Sequence, residues 1–201
     1  MVPHFADVLQ AFNADHIQSA RPLHASMVLG AAAYLAKNGH PLREPGLAES
    51  TAAGVLGRFC SLLQDEIQRA EVTCQDAGDV IWSLSTLGLT PPHHQLRALA
   101  ERGAEEDAIA DSTPAAISKL LWSLTELIAA GAPPPLSPGG AEWARLVEGY
   151  SHAAEARGYD KKAASFYREA VSRLSTPGGR GGQCVSRQLA QRCMAQLSVG
   201  R

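Results

Sequence analysis

Apolar residues recur at i, i+3 and i+4 along most of this 201-residue chain. The pattern predicts helices near 3–12, 21–38, 47–71, 76–88, 92–108, 113–130, 140–157, 160–175 and 183–197. No stretch alternates apolar and polar residues as a half-buried strand would. The breaks carry their own chemistry. Asp76, ahead of AGDVIWSL, reads as an N-cap, and Thr113-Pro114 as a cap followed by proline at the first helical position. Gly39, Gly88, Gly131 and Gly158 fall where helices should stop. TPP at 90–92, APPP at 132–135 and LSPGG at 136–140 read as turns.

Two of the predicted helices repeat one phrase. VIWSLSTL, Val80–Leu87, aligns with LLWSLTEL, Leu120–Leu127, so that Trp82, Ser83, Leu84 and Leu87 match Trp122, Ser123, Leu124 and Leu127. A proline cluster follows each phrase, and the period is about 40 residues, the range of stacked helical repeats. A single helical hairpin cannot bury its apolar face, and stacked neighbours share one continuous core. Met27–Leu42, MVLGAAAYLAKNGHPL, reads as an earlier degenerate copy with Tyr34 near the tryptophan position. The leucine-rich surroundings of Trp82 and Trp122 favour core packing over an exposed stacking role.

The Leu-Trp-Ser-Leu phrase with its following prolines resembles octotricopeptide repeats, and also the related helical repeats of FAST-kinase-like and RAP-domain proteins. The resemblance covers roughly residues 22–135. It implies an all-α fold, an α-solenoid of stacked antiparallel helix hairpins. It also implies RNA binding in a mitochondrion or chloroplast, in transcript maturation, stability, translation or ribosome assembly. Val147–Leu174 resembles a tetratricopeptide unit, with Gly158-Tyr159-Asp160 as the inter-helix turn and Ala163, Tyr167 and Ala170 at the sites that let two helices approach closely. The chain thus divides into a repeat array over 1–135, a tetratricopeptide-like hairpin over 136–175, and a Gly-rich linker with a final helix over 176–201. The linker's GGRGG is a single copy of the Arg-Gly-Gly type found in some RNA-binding segments.

Composition agrees with the helical pattern: 45% of residues are hydrophobic, mostly Ala and Leu, while aromatics are 5%. The formal charge of −2 hides an asymmetry. Residues 1–140 hold 8 Lys/Arg against 15 Asp/Glu, a net −7, whereas residues 141–201 hold 10 against 5, a net +5. A polyanion would therefore favour the C-terminal third. The longest apolar run, Met27–Ala36, is far short of the about 20 residues that span a bilayer. The N-terminal stretch lacks the features of a transit or secretory peptide, which leaves a cytoplasmic location open beside the organellar one.

Candidate chemistry is sparse. Cys60, Cys74, Cys184 and Cys193 form no C-x-x-C pair and read as reduced thiols. His93-His94 point to different faces of a helix and cannot chelate one metal. The acids of Ala104–Asp111 lack the alternating ligands and turn glycine of a calcium loop. No catalytic residue, metal site or cofactor is nominated. If RNA binds, Ser118 and Lys119 at the start of a Trp-phrase helix, and Arg97 and Arg102 on the helix before it, are candidate contacts. Lys161, Lys162, Arg168 and Arg173 are candidate phosphate holders. The competing expectation is a protein–protein scaffold, because a repeat array presents a long surface that suits either partner.

Overall fold

The computed structural model describes residues 14–39, 46–176 and 183–199; the helix predicted over 3–12 and the centre of the Gly-rich linker lie outside them. The described residues are all-helical and turn, with no strand. The helices are α1 (Ala14–Ser19), α2 (Pro22–Lys37), α3 (Leu47–Gln64), α4 (Glu66–Arg69), α5 (Cys74–Thr86), α6 (His93–Gly103), α7 (Glu106–Ala110), α8 (Pro114–Ala129), α9 (Ala141–Arg157), α10 (Lys161–Ser175) and α11 (Arg187–Val199).

The predicted helix over 47–71 is two. Asp65 turns extended (φ −100°, ψ 119°), and its carboxylate accepts from the amides of Ile67 and Gln68, capping α4. A short acceptor that satisfies backbone donors this way competes with a continuous helix. The prediction over 92–108 breaks likewise at Glu105, extended at φ −71°, ψ 150°, whose carboxylate is held by Arg69 and Arg102. Capping at α5 also differs from the expectation. Thr73 is the N-cap, accepting from the Asp76 amide, and Asp76 is the third helical residue, accepting from the Thr73 amide in return. Thr113 caps α8 as expected, and the four glycines expected to end helices all have positive φ.

The helices lie in two rows between which the chain alternates. In the first row α2 packs on α5, α5 on α8 and α8 on α10. In the second, α3 packs on α6, α6 meets α7, α7 meets α9, and α9 packs on α11. Hairpins such as α2/α3, α5/α6, α8/α9 and α10/α11 tie the rows together. Between them one buried core runs from Ile17 to Cys193, including Leu29, Phe59, Leu84, Leu120, Trp143 and Tyr167. Each such large apolar side chain contributes roughly 1.5–3 kcal/mol on burial. α5 and α8 meet backbone to backbone at Gly78, where a Cβ would stand 3.2 Å from the Leu120 amide nitrogen.

The tetratricopeptide-like segment departs from its expected packing. α10 packs closely on α8, and it meets α9 through bulk: Tyr150 and Tyr167 stack with centroids 3.9 Å apart, and the Tyr167 hydroxyl donates to the Val147 carbonyl at 3.0 Å. Ala163 is buried and lines one cavity together with Ala115, Ser118, Lys119 and Trp122 of α8.

Candidate functional site

The repeated helices bury one stripe and show another. On α5 the buried stripe is Ala77, Val80, Ile81 and Leu84; on α8 it is Ile117, Leu120, Leu121 and Leu124. Trp82 shares its face with Asp79, and Trp122 with Lys119, because residues three apart are neighbours on a helix. Both tryptophans are consequently half-buried at the surface of the first row; Trp122 packs against the core from there, so the core position expected is met only in part. The core tryptophan is Trp143, 1% exposed. The phase was readable: each repeat tryptophan stands one residue off the buried apolar stripe.

The two rings line a cleft of about 370 Å³ that crosses the first row from the end of α2 to the start of α10. Phe166 of α10 joins them, its ring 5.4 Å from that of Trp122 at a 41° tilt. Three ammonium groups stand beside these rings. Lys119 Nζ lies 4.6 Å and Lys37 Nζ 5.8 Å from the Trp82 centroid, and Lys162 Nζ lies 5.8 Å from that of Phe166. At these distances a cation is attracted to the ring face. Lys119 also pairs with the Asp79 carboxylate. Asp160 lines the cleft while capping α10, its carboxylate accepting from the Lys162 and Ala163 amides at 2.7 and 3.1 Å.

The sequence candidates separate on this geometry. Lys119, Lys162 and Ser118 meet in the cleft; Ser118 is buried there, its hydroxyl donating to the Ala115 carbonyl at 3.0 Å. Lys161 is exposed at the start of α10, and Arg168 is half-buried further along it. Arg173 pairs with Glu126 and Glu169, and Arg97 with Glu101 at 2.7 Å. Arg102 is 2% exposed: its guanidinium donates to the Val72 carbonyl at 2.9 Å and pairs with Glu105 and Asp107. Burial alone would raise the Glu105 pKa, but Arg69 and Arg102 outweigh it and hold the carboxyl below its usual range; Arg102 likewise lowers that of Asp107. Sequence reasoning missed Lys37, Asp79 and Phe166. Lys37 ends α2 and Phe166 lies in α10, so no common motif joined them.

A hollow of about 580 Å³ between α7 and α9, lined in part by Ile109, Arg145, His152 and Arg157, holds no Trp, Tyr or Phe. Burial pushes the Cys74 thiol up to about 12, so it carries no thiolate at neutral pH. Among the described residues no group of His, Cys, Asp and Glu is arranged to hold a metal, and no helix is long and apolar enough to cross a membrane. No family model, curated protein or solved structure matches this chain.

Proposed function

We propose that this protein is an α-solenoid of stacked helix hairpins that binds single-stranded RNA, as part of an organellar ribonucleoprotein. The observation that carries the proposal is the cleft, where Trp82, Trp122 and Phe166 stand among Lys37, Lys119 and Lys162. Unpaired bases gain about 1–3 kcal/mol each by stacking on aromatic side chains, with little regard to sequence. Lysines between the rings supply the phosphate attraction that the acidic first 140 residues otherwise lack. The alternation of the chain between two rows supports the solenoid, and the resemblance to octotricopeptide repeats supports the organellar setting.

Fluorescence anisotropy of a labelled single-stranded RNA octamer tests this. Binding is expected at low salt, weakening with a log–log slope of about −2 if three lysines each take one phosphate. A duplex of the same sequence, whose bases are already stacked, is expected to bind more weakly. Absence of octamer binding at low salt, or binding indifferent to salt, would sink the proposal. A scaffold reading draws on Asp160 in the cleft and on Asp79, paired with Lys119 beside it, which suit a basic peptide. Partners that survive nuclease treatment in a pull-down would favour it.

A further inference from the structure

Asp79 and Lys119 occupy the same position of the two repeated phrases, three residues ahead of Trp82 and Trp122 respectively. They pair across the α5–α8 contact, with side chains 19% and 36% exposed. The Lys119 ammonium is held twice, by the carboxylate and by the Trp82 ring beneath it. Lys37 and Lys162 have no ion pair among the described residues, so Lys119 is the cleft lysine with a counter-ion of its own. A flat group approaching the covered part of the Trp82 ring competes with that ammonium, and the ammonium leaves its place only by giving up Asp79.

We infer that Asp79 is a specificity-determining residue of the cleft, holding Lys119 across Trp82 so that a ligand must bring an anion and a flat ring together. This rests on the RNA reading and sharpens it. A nucleotide strand meets both demands: its phosphate replaces the Asp79 carboxylate on Lys119 while its base takes the ring. A nucleoside offers the ring alone and an inorganic polyphosphate the anion alone, so each answers only one of the two holds on Lys119. A partly exposed ion pair is a modest hold, corresponding to a factor of about two to five in an equilibrium constant.

The experiment titrates the labelled RNA octamer into the native full chain, Asp79→Asn, Lys119→Gln and the double variant, with adenosine and tripolyphosphate as unlabelled competitors. Equal thermal melts of native protein and Asp79→Asn establish that the fold is kept. Asp79→Asn is expected to bind the octamer about two- to five-fold more tightly and to be more readily competed by adenosine and by tripolyphosphate. Lys119→Gln is expected to weaken octamer binding, and the double variant to match Lys119→Gln, because Asp79 acts through Lys119. The inference is overturned if the octamer binds the native chain but Asp79→Asn binds it equally or less well. It is also overturned if the Asp79 effect persists without Lys119, which would make the carboxylate a general repulsive charge. If the octamer binds neither protein, the RNA reading itself fails. If a Lys/Arg-rich peptide binds instead and Asp79→Asn abolishes that, Asp79 is a ligand contact and the inference is wrong.

Discussion

The two rows of helices each contain a tryptophan and a basic residue, and they use them in opposite ways. In the second row, Trp143 of α9 is sealed in the core and Arg102 of α6 is buried among a carbonyl and two carboxylates. In the first row, Trp122 and Lys119 of α8 stand at the edge of a cleft, the lysine sharing one carboxylate with a ring face. The residue types barely differ; the packing around them does. A buried guanidinium that donates to two carbonyls and two carboxylates has little freedom to meet a ligand. A half-exposed ammonium held by one carboxylate and one ring face can exchange them.

Substitution of the tryptophans is the strongest way to break this contrast. Trp143→Ala is expected to cost about 3–5 kcal/mol, the range for emptying a core aromatic site. Trp122→Ala, which loses a half-exposed ring, is expected to cost about 1–2 kcal/mol while weakening RNA binding. Urea unfolding measures the first quantity and anisotropy the second. Equal stability losses would show that the rows do not differ as described.

The cations give a smaller difference. Arg102→Met removes a buried charge and leaves the Val72 carbonyl and Glu105 short of a partner, for an expected loss of about 2–3 kcal/mol. That figure stays below the cost of breaking a fully buried pair because Glu105 and Asp107 remain 31% and 64% exposed. Lys119→Met is expected to change stability by less than about 1 kcal/mol. Denaturation midpoints of the two variants against the native protein check the ordering.

Acid provides the smallest and most local test. The folded pKa values of Glu105 and Asp107 lie below their ordinary ones, so the stability they contribute is complete above the ordinary carboxylate range and is lost as pH falls through the lowered values. Asp76 runs the other way: burial raises its pKa, so its contribution is present below the ordinary value and is lost as pH rises through the raised one. Because Arg102→Met leaves Asp76 alone, the stability gap between native protein and variant is expected to narrow from about pH 7 to about pH 3. A gap that holds constant would place the Arg102 effect in packing rather than charge.

Much of this architecture was legible because its causes are local. Helix ends follow from Thr113 with Pro114 and from glycines such as Gly88, which act within a few residues of themselves. The breaks at Asp65 and Glu105 were harder, since a carboxylate that interrupts a continuing apolar pattern looks like an ordinary solvated acid until its donors are known. The environments of the side chains were hardest. Arg102 is buried because Val72, thirty residues earlier, presents a carbonyl to it. Trp82 is beside a cation because Lys119, held by Asp79 forty residues before it, reaches across from α8. Phe166 belongs to the cleft because α10 docks on α8. Such neighbours are set by how rows pack, which periodicity along one helix does not contain.

The division of the tryptophans also makes the protein its own optical gauge. Trp143, enclosed by apolar side chains, should emit toward the blue and resist a soluble quencher, whereas Trp82 and Trp122 should emit further to the red and be quenched readily. Acrylamide would therefore separate the intrinsic emission into an interior component and a cleft component. A ligand entering the cleft should silence one while leaving the other, without any dye attached to the chain.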